Sequence, residues 1–254
     1  MQTAERVSHT DHSDNYVFQR SLRAYVDAAQ LIHGKVLEIG TGSGYGVDIV
    51  APKTDHFVTV DKFITEIPLK EANQDKVEFV QMTVPPLDLP DNTFDFVITF
   101  QVIEHIVPDE QFVAEIARVL KPGGQLIVTT PNRKMSLSRN PWHIREYTVT
   151  ELQELLAKHF TKVDCQGVYG SKKVMDYYEE NRKSVHKIMR FDIFNLQYRL
   201  PRQILQIPYD ILNRMNRKKL LNNEDARVMD IQLEDFVVKP AQEDCLDLFY
   251  IATK

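Results

Sequence analysis

Nine residues, Glu38-Ile39-Gly40-Thr41-Gly42-Ser43-Gly44-Tyr45-Gly46, follow the short run Lys35-Val36-Leu37 and carry glycine at every second position from Gly40. A strand that ends in such a loop holds a nucleotide-like ligand. Glycine accepts the positive φ of a tight turn, and its missing Cβ lets backbone N–H groups approach the ligand closely. The spacing excludes the dinucleotide fingerprint G-x-G-x-x-G: counted from Gly40 its last place falls on Tyr45, and from Gly42 on Val47. Asp61 closes the next extended run, His56 to Asp61. An acid there can accept both ribose hydroxyls. Two histidines, His105 and His143, have the residue type of a general base, because unperturbed histidine titrates near ~6.5. Both also fit as packing residues hydrogen-bonded to Glu104 and Glu146.

These side chains need a scaffold that gathers the ends of several strands. Asp14 to His33 has a mostly helical apolar period, with Tyr16, Val17, Leu22, Tyr25, Val26 and Ala29, and predicts a helix ahead of the sheet. Helical and extended segments then alternate from Lys35 to Asn132, the rhythm of a parallel sheet covered on both faces. Asp109 to Leu120 is the clearest amphipathic helix. Thr148-Val149-Thr150-Glu151 is a capping box that should open a helix over Glu151 to His159. Phe160 to Val168 reads as a sixth strand and Cys245 to Thr253 as a seventh. About seventy residues, Ser171 to Pro240, lie between them where a short connection would suffice.

The chain of 254 residues is 43% hydrophobic and 26% charged, ordinary values for a soluble globular protein with one large α/β domain. It shows no apolar run near the roughly 20 residues of a membrane span and no apolar core of a signal peptide, so no export is expected. Two cysteines, Cys165 and Cys245, suit a reducing cytoplasm and inert packing. Charge is unevenly spread. Ser171 to Leu221 holds twelve Lys or Arg against five Asp or Glu, a net of +7 in a chain whose net charge is −5. Such a surface faces an anionic substrate or membrane headgroups, or is the solvated face of a helical pair. Pro201 and Pro208 should break Phe191 to Met215 into short pieces, whose Phe191, Phe194, Tyr198 and Tyr209 pack on the sheet edge or line a substrate pocket.

The loop E-x-G-x-G-x-G after a first strand resembles motif I of the class I S-adenosylmethionine-dependent methyltransferases. Four further pieces come in that family's order: His56 to Asp61, Val77 to Met82, L-D-L-P-D-N-T-F-D-F-V-I-T-F-Q-V-I-E-H-I, and Leu120-Lys121-Pro122-Gly123-Gly124 with Gln125 to Asn132. The resemblance spans about Tyr16 to Val168 and the last strand. It implies a doubly wound, Rossmann-like α/β fold with a seven-stranded sheet, mostly parallel with an antiparallel last strand. A helical cap would occupy residues 1–34, the core 35–170 and 241–254, and a helical insertion or lid for the acceptor 171–240. S-adenosylmethionine is the implied cofactor, with Glu38, Gly40, Gly42, Gly44, Asp61, Lys62, Thr83 and Gln101 around it. Thr83 departs from the family, where an acid after the third strand often receives the adenine amine. Gln101 would touch the cofactor through its backbone, over an apolar floor of Val102 and Ile103, and Asp95 reads as a structural acid.

Gln101 to His105 is similar to the E-V-I-E-H segment of ubiquinone-biosynthesis O-methyltransferases and of small-RNA terminal 2′-O-methyltransferases. His143-Ile144-Arg145-Glu146-Tyr147-Thr148 is similar to the H-x-x-E-W-T of the RNA enzymes. In those relatives the two acids and the histidines can hold a divalent metal. Here the first acid is Gln101, which removes a charge from a hard-cation site, and no bound metal is expected. The implied activity is methyl transfer to an oxygen, less readily a nitrogen, of a small or carrier-linked acceptor that can be anionic. Peripheral membrane contact is compatible with it. The alternatives are 2′-O-methylation of RNA and a cofactor-binding regulator without turnover. Nucleic acid is disfavoured by the acidic chain and the lack of an RNA-binding module.

Overall fold

The computed structural model describes residues 11–64, 67, 69–222 and 227–254. Its strands are β1 (Lys35–Ile39), β2 (His56–Asp61), β3 (Val77–Gln81), β4 (Phe94–Phe100), β5 (Leu120–Pro131), β6 (Lys162–Gly170), β7 (Phe236–Pro240) and β8 (Asp247–Thr253). They form one sheet in the order β3-β2-β1-β4-β5-β8-β6-β7. The first five strands in this order are parallel to one another. β8 is antiparallel to both β5 and β6, and β7 is antiparallel to β6. From β1 the chain steps outward to β2 and β3, then returns to β1's other side at β4. The loops after β1 and β4 therefore part in opposite directions and leave a crevice at the carboxyl ends of the strands.

Both faces of the sheet are covered, so alternate residues of one strand enter different cores. Leu37 and Ile39 of β1 join one layer, with α3 (Asp109–Val119) and α4 (Val149–Ala157), while Val36 joins the other, with α1 (Asn15–Ala28) and α2 (Val47–Val50). The same alternation separates Leu126 and Val128 from Ile127 in β5. Each such side chain, fully buried, contributes roughly 1.5–3 kcal/mol of transfer free energy, which holds the strand register. The capping box forms as expected, Thr148 Oγ1 accepting the Glu151 N–H and Glu151 Oε2 accepting the Thr148 N–H at 2.9 Å, although α4 runs Val149–Ala157.

The insertion differs from expectation in three ways. It ends in an eighth strand, β7, which adds to the sheet edge beside β6, so the sheet has eight strands where seven were expected. A single-ladder edge strand of five residues has a weak sequence signal, and its terminal Pro240 costs no hydrogen bond there. Second, Pro208 does not break the helix. The helices are α5 (Lys172–Met189), α6 (Leu196–Arg199), α7 (Arg202–Asn222) and α8 (Arg227–Asp230), with Pro208 inside α7. Its ring and Ile204, one turn back, are both exposed, so the carbonyl left without a donor can be hydrated. Third, Phe191, Phe194 and Tyr198 are exposed instead of packed on the sheet edge; only Tyr209 of that set reaches a pocket. The insertion is tied to the segment before the sheet. Asn15 Nδ2 donates to the carbonyls of Val228 and Ile231, and Arg217 pairs with Asp14 at 2.6 Å. Residues 1–10 of the expected cap and 223–226 of the insertion lie outside the described residues.

Candidate functional site

The loop after β1 folds back over β2, whose Val60 carbonyl accepts the N–H groups of Gly40 at 2.8 Å and Thr41 at 3.3 Å. Gly40 holds φ +96°, and a Cβ there would lie 2.4 Å from Cγ2 of Val102. The loop is thus pressed against the segment after β4, with no room for a side chain. Gly42, at φ +58°, donates its N–H to Asp61 Oδ2 at 3.0 Å, and Asp61 Oδ1 accepts from the Phe63 N–H at 2.9 Å. Each carboxylate oxygen keeps a further lone pair for a ligand. Lys62 and Thr83 also line the crevice, whereas Gly44 turns toward Ile67.

Glu38 sits beneath this loop, 2% exposed. Tyr25 Oη donates to its Oε1 at 2.8 Å, and Thr59 Oγ1 donates to Oε2. Thr59 having spent its proton on Glu38, the short contact from Thr41 Oγ1 to Thr59 Oγ1, 2.6 Å, is a donation by Thr41. A buried carboxyl therefore tethers the glycine loop through two hydroxyls. Burial pushes its pKa up to about 7, opposed by the bonds from Thr59 and Tyr25. Sequence reading took Tyr25 only as an apolar helix position and did not single out Thr59; strand alternation alone puts Thr59 on the side of β2 that faces Glu38.

At the end of β4, Gln101 adopts φ +57°, a strained backbone for a residue with a side chain. Its N–H donates to the Thr129 carbonyl, and it lines the crevice. The kink turns the chain into the short turn Ile103–His105, which buries Glu104 and sends His105 into the cavity. Glu104 Oε2 accepts from Thr130 Oγ1 at 2.9 Å. Burial raises its pKa, and the neighbouring His105 and His143 pull it back. The backbone carbonyl of Glu104 accepts the Ile144 N–H at 2.7 Å, which docks the loop carrying His143.

The two histidine rings meet edge to face with centroids 5.0 Å apart. His105 Nδ1 lies 3.0 Å from the Trp142 carbonyl. A carbonyl only accepts, so Nδ1 carries the proton and Nε2 the lone pair. For His143, Nδ1 lies 2.6 Å from Glu146 Oε1 and Nε2 lies 2.9 Å from Asn140 Nδ2. Asn140 Oδ1 accepts the Trp142 N–H at 3.0 Å, which fixes the amide so that its NH₂ faces the ring. His143 is therefore the Nδ1-protonated tautomer, with Glu146 as acceptor.

One cavity of about 1560 Å³ joins the glycine loop, Asp61 and both histidines to the inner side of the insertion. This exceeds the roughly 300–1,000 Å³ of a single-ligand pocket, so it has room for two molecules side by side. Its far end presents residues that sequence reading missed: Tyr178, Asn181, Asn213 and Asn216, with Arg20 held 3.0 Å from buried Asp247. The spacing of Gln206, Asn213 and Asn216 along one helix was a legible signal of a polar inner face.

Residues 37–128 match the methyltransferase domain family. A probable S-adenosylmethionine-dependent methyltransferase of Mycolicibacterium smegmatis is 32% identical over 263 residues, covering 99% of this chain and 94% of its own length. A ubiquinone biosynthesis O-methyltransferase of Rickettsia conorii is 30% identical over 103 residues, 39% of this chain and 35% of the relative. Among solved structures, a SAM-dependent methyltransferase of Thermotoga maritima, described as a possible histamine N-methyltransferase, superposes with TM-score 0.55 at 17% identity over 94% of this chain and 92% of that one. That likeness shows the fold, and the mycobacterial relative shows the family. This chain belongs to the S-adenosylmethionine-dependent methyltransferases.

Proposed function

We propose that the chain methylates an oxygen of a small or carrier-linked acceptor bound under the insertion, with His105 as general base. The residues present fit the cofactor. Gly40, too close to Val102 for any Cβ, and Gly42, whose N–H is turned to Asp61, form a cradle for the cofactor at the carboxyl-terminal end of β1. Asp61 would accept the ribose hydroxyls, Lys62 would flank them, and Thr83 with the adjoining Met82 and Val84 would border the adenine. Bound there, S-adenosylmethionine supplies an activated methyl group that is displaced in line.

What remains for the protein is alignment, water exclusion and one proton. Alignment is worth about 7–11 kcal/mol of barrier and a positioned base typically about 10²–10⁴-fold. An acceptor hydroxyl is a weak nucleophile until its proton leaves, whereas a neutral amine already has its lone pair; a built base therefore favours oxygen. The observation that carries this reading is the His105 tautomer, set by the Trp142 carbonyl at 3.0 Å, which puts the lone pair on Nε2 of a ring that lines the cavity. Glu104, beside it, would stabilise the imidazolium that forms. His143 has its Nε2 engaged by Asn140 and its Nδ1 by Glu146, and is assigned the role of orienting the acceptor.

Glu104, His105 and His143 also offer ligand atoms within 4.8 Å of one another. The Gln101 position adds no charge to this trio, which makes it a weaker site for a hard cation than one with a second carboxylate. Single-turnover assays with labelled cofactor and a panel of hydroxyl and amine acceptors test the reading. His105→Ala should lower the rate at least 100-fold with cofactor affinity unchanged, and EDTA should have no effect. Full activity in that variant overturns the base assignment, and loss of activity on chelation replaces it with a metal-assisted one.

A further inference from the structure

Helix α7 is built inside out for a helix on a soluble surface. Gln206, Tyr209, Asn213 and Asn216 face the cavity, and buried Asp210 accepts from Trp142 Nε1 at 3.0 Å. The opposite side carries Ile204, Ile207, Ile211 and Met215, spaced by three or four residues so that they form one stripe. These four are between 54% and 65% exposed. A surface helix normally turns its apolar stripe inward and its polar face to water. The segment before it continues the pattern, with Phe191 at 87% exposure and Ile193 at 76%. No described helix is long and apolar enough to cross a membrane, so this is a surface feature.

Lysine and arginine flank the stripe. Lys218 and Lys219 are exposed one turn beyond Met215, Lys218 in line with the stripe and Lys219 beside it by helical position, and Arg190 and Arg199 border the preceding segment. The stretch 171–221 carries a net of +7, against −5 for the whole chain. We propose that the outer face of α7 and the segment before it dock on an anionic lipid bilayer, lying in its interface with the apolar stripe among the acyl chains. Apolar side chains that enter the headgroup boundary, edged by long cationic side chains, are the design of an interfacial helix. A second copy of this chain seated stripe to stripe would bring the two basic rims together, which disfavours that occupant. Because the inner face of the same helix lines the cavity, docking would place the cavity's far end at the bilayer surface.

Sedimentation of the full chain with vesicles of phosphatidylcholine alone, or with one-third phosphatidylglycerol, tests the proposal. Binding is expected to the anionic vesicles and to weaken as salt is added, since charge contacts beyond about 10 Å are screened at ordinary ionic strength. The combined Ile207→Ser, Ile211→Ser, Met215→Ser variant should bind anionic vesicles at least 10-fold more weakly, with melting temperature and cofactor affinity at wild-type values. Lys218→Gln with Lys219→Gln should lower binding to anionic vesicles alone. No binding to anionic vesicles, or equal binding to both compositions, overturns the proposal. So does a wild-type dimer in light scattering that the triple variant dissociates while vesicle binding is unchanged.

Discussion

Glu146 Oε1 lies 2.6 Å from Nδ1 of His143, and Asn140 holds the other nitrogen of that ring at 2.9 Å, so the ring's position and tautomer are both set. The neighbouring His105 has its tautomer set by the Trp142 carbonyl. Two histidines 5.0 Å apart thus have different tasks available to them.

Glu146→Gln keeps the side chain's size and removes the charge that Nδ1–H of His143 faces. Turnover should fall about 10-fold, as expected for a misoriented acceptor, and less than for His105→Ala. Cofactor affinity by calorimetry should not change. An effect equal to that of His105→Ala would make the His143–Glu146 pair the base.

Asp61→Ala removes the carboxylate at the lip of the glycine loop. S-adenosylmethionine and S-adenosylhomocysteine should each bind more weakly by about 1.5–3 kcal/mol, the worth of hydrogen bonds to a charged group. NAD should not bind the wild type, because the loop lacks the dinucleotide spacing. Calorimetric titration decides both points, and tight NAD binding would contradict the assignment of the crevice.

Gly40→Ala and Gly42→Ala separate two kinds of constraint. Both positions have positive φ, but a Cβ at Gly42 meets nothing within 4 Å while one at Gly40 meets Val102 at 2.4 Å. Gly42→Ala should cost about 1–2 kcal/mol of backbone strain. Gly40→Ala should cost more, and adding Val102→Ala should recover only the excess. Thermal unfolding of the three variants checks the order.

Glu38 makes stability depend on pH. Its folded pKa is raised to about 7 from 4.5, so between those values the folded protein keeps a proton that the unfolded chain has released. Stability contributed by this group is full below about pH 4.5 and is lost as pH rises through about 7, an effect of about 3 kcal/mol. Glu104 and Asp247, also raised by burial, act in the same direction. Glu38→Gln can keep the bonds to Tyr25 and Thr59, since the Thr59 hydroxyl can turn to accept. The variant's melting temperature should therefore fall less than the wild type's between about pH 5 and pH 8. Identical slopes would remove Glu38 from the account.

The glycine loop, the acid closing β2, the alternation of helices and strands and the capping box at Thr148 were legible in the sequence, because each depends on local backbone geometry or on the period of one element. So was the family, whose motif Glu38 to Gly44 is contiguous. The edge strand Phe236–Pro240 and the unbroken helix through Pro208 were not, since a single ladder and a hydrated carbonyl are tertiary circumstances that override local preference. The tautomers of His105 and His143 depend on Trp142 and Asn140, whose positions follow from the Ile144 N–H docking on the Glu104 carbonyl. The inverted face of α7 is written in the sequence as a stripe of Ile204, Ile207, Ile211 and Met215. A stripe states only that a helix has two faces; which one meets water is settled by what packs against the other, and only the tertiary structure sets Asn216 and Tyr209 over the cavity and leaves the isoleucines outside.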